Sequence, residues 1–358
     1  MHGVAGCSRR EGIALIASFR PPHKVMPVNV ADRGRAGVLP EVEAWLSRRT
    51  SSAADWPARA LLSAKGRATV SVVLPARNEE ETVGEIVSAV RRDLVEAVPL
   101  VDELVVIDSR SSDGTAEQAL RAGAKVFAQD EILPELHDPR YDGKGEALWK
   151  SLAVTTGDLV VFVDADLREF RTSFVTGLLG PLLTDPAVGY VKACYDRPLL
   201  GAREPNAGGR VTELVARPLL NLHWPLLAGF VQPLAGEYAG RRAVLERVPF
   251  VTGYGVELGL LIDLLDMLGL DALAQVDLGR RVHSHQSTEA LGGMAGQIMH
   301  TAWARLERQD KIVPLHEPST RLVQFERGPA GHRPLTRDVG VAERPPMATV
   351  PQYASRLR

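Results

Sequence analysis

The chain of 358 residues sets 42 Lys and Arg against 44 Asp and Glu, and 45% of it is hydrophobic. This balance belongs to a folded globular protein and excludes wholesale disorder, a fibrous fold and bulk attraction to nucleic acid or anionic lipid. Two cysteines, Cys7 and Cys194, are too few for a disulfide framework or a thiolate metal site and predict a cytoplasmic protein, while no apolar run approaches the roughly 20 residues that span a bilayer.

In chain order, residues 1–66 read as an irregular extension with one short helix near Glu41–Arg48. Arg9 and Arg10 before Ile13–Phe19 mimic a signal peptide, but the apolar stretch is short, broken by Ser18, and has no small-residue cleavage site after it. Residues 67–187 read as an α/β region. Thr69–Leu74 is a β-branched run ending at Pro75, and Val83, Ile86, Val87, Val90 and Leu94 then share one helical face. Glu103–Ile107 is a second strand running into Asp108-Ser109, and a polar turn with Ser112 or Asp113 as N-cap opens a short helix. Ala124–Phe127 (strand), Glu146–Thr155 (helix) and Leu159–Val163 (strand) complete this part. Strands alternating with amphipathic helices predict βαβ units and a mostly parallel, doubly wound sheet. Residues 188–310 mix helices with loops, including an apolar helix over Gly255–Gly269 and a strand over Ala272–Leu278, and residues 311–358 read as an irregular tail.

Ligands collect at the carboxyl ends of strands in such sheets, and three of these ends are polar: Pro75–Glu79, Asp108-Ser109 and Asp164-Ala165-Asp166. Carboxylates one residue apart after a buried strand suit a hard cation that bridges a diphosphate. Gly143-Lys144-Gly145 opens a helix, where backbone and ammonium both favour an anion, although a flexible turn with a solvated lysine reads equally well. It lacks the spacing of a P-loop, and the first βα turn lacks G-x-G-x-x-G, which argues against a dinucleotide-binding domain. Gly208–Thr212 combines a helix start, the Arg210 guanidinium and the Thr212 hydroxyl; it is either an anion clamp or a capped helix with a surface arginine. His283 and His285 share a face if extended, as surface groups or as part of a composite Asp/His metal site. Glu257 starts the apolar helix, either stabilising its dipole or hydrogen-bonding sugar hydroxyls.

Taken together, VSVVLPARNEE from Val70, VIDS from Val106, GKGEALW from Gly143 and FVDAD from Phe162 resemble a GT-A glycosyltransferase. GGRVTELVARPL from Gly208, QPLAGEYA from Gln232 and GYGVELG from Gly253 narrow the resemblance to the family of actinobacterial glucosyl-3-phosphoglycerate synthases, with a faint echo at Glu343–Met347. The resemblance implies a GT-A fold and retaining, metal-dependent transfer of glucose from UDP-glucose to the 2-hydroxyl of 3-phosphoglycerate by a cytoplasmic homodimer, with no membrane or nucleic-acid partner. It assigns Asp164, Asp166, Lys144 and Glu257 to catalysis and Asp166 with His283 to Mg²⁺ or Mn²⁺. Pro75, Ala76, Arg77, Asn78, Glu79, Ser109, Lys144, Asp164, Ala165, Tyr254 and Glu257 fall to the nucleotide sugar, and Gly209, Arg210, Val211, Thr212 and His285 to the acceptor. Residues 67–187 would then bind the nucleotide sugar and 188–310 the acceptor and the dimer partner. Arg77, Ala165 and His285 depart from the family pattern, where an apolar residue, a serine and another polar residue are expected. Rival readings are mannosyl transfer from GDP-mannose, a lipid-phosphate sugar transferase, and a non-catalytic nucleotide-sugar-binding module.

Overall fold

Strands rich in β-branched residues make the centre of the molecule, because such side chains pack well on a pleated, buried surface. The structure, a computed structural model, describes residues 37–196, 209–281, 287–329 and 331–354. Within them α1 (Pro40–Arg49), β1 (Thr50–Ser52) and α2 (Ala58–Lys65) precede the first βα units, so regular structure starts earlier than expected. The Trp45 indole donates to the Leu273 carbonyl at 2.7 Å and ties α1 to the far side of the sheet. The units that follow are β2 (Val70–Ala76), α3 (Val83–Val90), β3 (Glu103–Asp108), α4 (Thr115–Ala122), β4 (Lys125–Ala128), α5 (Lys144–Val154), β5 (Leu159–Phe162) and α6 (Ser173–Thr184). Their strands run parallel in the order β5-β2-β3-β4, with Val73 opposite Phe162 and Ile107 opposite Pro75.

The second part adds β6 (Tyr190–Asp196), α7 (Arg217–His223), β7 (Tyr238–Arg241), α8 (Arg242–Leu245), β8 (Phe250–Val251), α9 (Val256–Leu268) and β9 (Leu273–Arg280). The eight-stranded order is β1-β9-β6-β7-β5-β2-β3-β4, parallel throughout except that β7 runs against both neighbours. Side chains alternate between two cores. Val73, Val105, Ile107, Val160 and Phe162 face one, and Val72, Leu74, Val106, Val161 and Val163 the other, as the two-residue period of a strand requires. Helix α9 is apolar nearly all round and accordingly lies inside one core.

Residues 311–358, expected to lack regular structure, form the hairpin β10 (Arg321–Gly328) and β11 (Gly331–Asp338), then β12 (Glu343–Arg344) and α11 (Pro351–Ala354). They follow α10 (Thr288–Arg308), whose N-cap Ser287 accepts from the Ala290 amide. The pattern hid them for two reasons. The hairpin stands outside the main sheet and has charged residues on both faces, and β12 is two residues long and pairs with β8, far away in the chain. No helix among the described residues is long and apolar enough to cross a membrane. Cys194, buried on β6, is a free thiol that burial pushes up to about 12.

Candidate active site

The carboxyl ends of β2, β3 and β5, the first turn of α5 and the start of α9 enclose a cavity of about 970 Å³, near the upper end of the roughly 300–1,000 Å³ typical of ligand sites. Of the predicted nucleotide-sugar residues, Pro75, Ala76, Arg77, Glu79, Ser109, Lys144, Asp164, Ala165, Tyr254 and Glu257 line it. Asn78 does not. Held at φ 59°, it accepts from the Ser112 amide on its side-chain oxygen and donates its own backbone amide to the Ser111 hydroxyl, so it ties two loops behind the wall. Ser109 lines the wall while its hydroxyl donates to Gln129 Oε1 at 2.8 Å. Gly209, Arg210, Val211 and Thr212 line it too, at the helical turn that runs into α7. His283 and His285 lie outside the described residues, as does Gly208.

At the inner end Lys144, the first residue of α5, pairs with Asp164 and lies 2.9 Å from Glu257 Oε1. Desolvation opposes its charge, but the two carboxylates outweigh it and hold the ammonium above its ordinary pKa. The site leaves no room beside this pair, for a Cβ on Gly236 would sit 1.9 Å from Asp164 Oδ2 and 2.5 Å from Lys144 Nζ. The D-x-D turn is held from below by Thr82, whose hydroxyl donates to the Ala165 carbonyl at 2.6 Å.

Sequence reasoning missed the residues beneath. Arg281, nearly buried at the end of β9, donates from Nη2 to Asp164 Oδ2 at 3.0 Å and Asp166 Oδ1 at 2.9 Å, and from Nη1 to Tyr195 Oη at 3.2 Å. Its Nε lies 3.3 Å from Oε1 of the fully buried Glu237, without hydrogen-bond geometry. Lys192 on β6, also fully buried, stacks its ammonium 4.4 Å from the centre of the Tyr238 ring. Burial pushes it down to about 7 against the pull of Glu257. Arg281 was within reach of inference, being two residues before His283 at a strand end, and Glu237 lay inside the QPLAGEYA block. Lys192, amid an apolar strand, had no signal. Gln297 on α10 also reaches the wall and accepts the Tyr254 amide at 2.9 Å.

Carboxylates outnumber cations here. Burial, then Asp166, Asp164 and Asp113, push Glu79 up to about 7, a sign of negative charge left unneutralised at the cavity face. Asp166, with a side chain 40% exposed, presents hard oxygen donors to that face. This donor chemistry fits Mg²⁺ or Mn²⁺, which take carboxylate and phosphate oxygens. Among the described residues no group of three or more His, Cys, Asp or Glu is placed to hold a metal.

The profile of glycosyl transferase family 2 matches residues 71–231. A curated glucosyl-3-phosphoglycerate synthase from Mycolicibacterium smegmatis is 48% identical over 86% of this chain and 98% of its own length. The chain belongs to the glucosyl-3-phosphoglycerate synthase family. Within it, the Mycobacterium tuberculosis enzyme, solved with Mn²⁺, UDP and phosphoglyceric acid, is 45% identical, with a TM-score of 0.72 over 82% of this chain and 94% of that one. Mannosyl-3-phosphoglycerate synthase from Rubrobacter xylanophilus is 40% identical, with a TM-score of 0.80 over 86% of this chain and 99% of that one. The GT-A architecture implied by the motifs is thus the observed fold.

Proposed function

We propose that this protein is a retaining glycosyltransferase that moves glucose from UDP-glucose to the 2-hydroxyl of 3-phosphoglycerate with the help of Mg²⁺ or Mn²⁺. The observation that carries it is the charged cluster, where Lys144, Asp164, Asp166 and Glu257 converge on a cavity that Gly209–Thr212 also line. Pro75–Arg77, Glu79 and Ser109 would take the uridine end, where two parallel strands finish side by side. Asp166, with His283, would hold the cation, which supplies positive charge to the departing diphosphate.

Lys144 would add its own charge to the leaving oxygens, prepaid by the fixed Asp164 and Glu257 carboxylates, so that little reorganisation is needed during reaction. Glu257 and Tyr254 would orient the glucose hydroxyls, and Gly209, Arg210 and Thr212 the phosphate and carboxylate of the acceptor. The acceptor 2-hydroxyl then attacks the anomeric carbon on the face that the diphosphate leaves. The carbon–oxygen bond to UDP breaks, and a diphosphate oxygen takes the hydroxyl proton. The proposal includes a homodimer, supported by the outward face of the β10–β11 hairpin, where Val323 and Phe325 are 52% and 65% exposed. A cytoplasmic setting rests on the two cysteines, of which Cys194 is a free thiol.

One observation favours mannosyl transfer from GDP-mannose instead. Arg77 points a guanidinium into the proposed base end, 3.9 Å from Asp142, and guanine offers it O6 and N7 as a bidentate acceptor. A panel of UDP- and GDP-glucose and -mannose against 3-phosphoglycerate, with and without EDTA, tests both. The expected result is metal-dependent turnover fastest with UDP-glucose, giving an α-linked product. EDTA-insensitive turnover, or none with any glucosyl donor, would reject the function.

A further inference from the structure

Behind the cavity sits a second charged cluster that takes no part in the chemistry above. Glu146, almost completely buried, follows Lys144 by two residues on the first turn of α5. Both its oxygens accept from Arg344 on β12 at 2.8 Å, from Nε and Nη2, and Lys150 lies 3.5 Å away. The Arg344 guanidinium also lies 3.7 Å from the Tyr141 ring centre and 4.8 Å from that of Trp149, and donates to the Leu136 carbonyl at 2.9 Å. The Trp149 indole in turn donates to the Pro345 carbonyl at 2.8 Å. One arginine from the C-terminal strap therefore grips both the segment that leads into Gly143 and the helix that begins at Lys144.

The same strap grips the opposite wall. The Thr252 amide donates to the Ala342 carbonyl at 2.9 Å, and β12 pairs with β8, Glu343 opposite Val251 and Arg344 opposite Phe250. Thr252 leads directly into Gly253-Tyr254-Gly255 and so to Glu257. Between the walls, backbone touches backbone. A Cβ on Gly145 would lie 1.8 Å from the Val251 carbonyl oxygen, and one on Gly143 3.2 Å from Gly253 Cα. The Lys144–Glu257 ion pair crosses this seam, and residues 342–345 cover it from behind.

Building on the reading of Lys144 as the cation at the leaving diphosphate, we propose that Arg344 is a positioning residue. It sets the Lys144 ammonium against Asp164 and Glu257 by clamping both walls of the seam through Glu146 and the 342–345 strap. A planar fork is what the arrangement demands, since it makes two parallel bonds to one carboxylate while stacked between rings, and lysine offers only a point charge.

The test is steady-state kinetics of the full-length R344K, E146Q/R344Q, K144A and K144A/R344K proteins, alongside circular dichroism and thermal melts. R344K is expected to lose about 10–100-fold in kcat, the scale on which small misplacements act, with KM for both substrates within about threefold. E146Q/R344Q removes the Glu146–Arg344 pair together, leaving Lys150 donating to the Gln129 carbonyl, and is expected to fold with a lowered melt while remaining as slow as R344K. On a K144A background, R344K is expected to cost nothing further, because the clamp acts through the lysine that is gone. The proposal is overturned if R344K and E146Q/R344Q both keep wild-type kcat, or if the R344K loss recurs undiminished beside K144A. It is overturned too if both Arg344 variants fail to fold, which would make the pair a folding element alone. A K144A enzyme as fast as wild type would instead bring down the reading of Lys144, and the clamp with it.

Discussion

Two charged clusters flank the first turn of α5, and they are built on opposite terms. Behind it, Glu146 meets Arg344 fork to fork with Lys150 alongside, and every bond has good geometry. In front, Asp164, Asp166, Glu237 and Glu257 share Lys144 and Arg281. Both Glu237 oxygens and Arg281 Nε lack hydrogen-bond geometry there. A cluster that receives no ligand can settle its charges completely. One proposed to receive a cation and a diphosphate would keep negative charge in hand until they arrive, and beside it burial, then Asp166 and Asp164, raise the pKa of Glu79.

Breaking each cluster should therefore have opposite consequences for stability. Arg344→Met leaves Glu146 buried beside Lys150 alone and should cost about 3–5 kcal/mol in urea unfolding. Asp166→Asn should lower kcat by about 10²–10³ yet leave metal-free stability unchanged or raised, since it removes a charge that repels Glu79. A destabilised, fully active Asp166→Asn enzyme would erase the distinction. Mn²⁺ with UDP at a hundred times the dissociation constant should stabilise the wild type by about 2.7 kcal/mol, and the Asp166→Asn protein by much less, in a thermal-shift titration.

The smallest effect concerns Lys192. Burial brings its pKa down to about 7, whereas an unfolded lysine holds its proton to about 10.4. Above pH 7 the unfolded state binds more protons, so this group makes stability rise with pH, by up to about 1.4 kcal/mol per unit. Lys192→Met should remove that contribution from unfolding free energies measured between pH 7 and 9; identical slopes would place the lysine in a wetter setting than its burial indicates.

Much of the cavity face was legible in sequence because its chemistry sits at strand ends and helix starts, where a polar residue interrupts a periodic apolar run. Asp164 and Asp166 after Val160–Val163, Lys144 between glycines, and Glu257 at the head of an apolar helix all announce themselves in this way. The support beneath them did not. Lys192 interrupts an apolar strand without any turn to mark it, Glu237 sits just before β7, and their partners lie far off in sequence. Arg344 was marked only by the faint family echo at Glu343–Met347, for a two-residue strand with no apolar period shows no role until β8 is beside it. Asn78 is the reverse case. It adjoins the right residues, but its positive φ turns it to the neighbouring loop.

Gly236 carries no side chain, yet a single added methyl there would overlap an oxygen of Asp164 and the nitrogen of Lys144 at once. Alanine at this position is thus the smallest chemical edit able to wedge that couple apart without altering one formal charge. It marks a point where sequence drift within the family should be poorly tolerated.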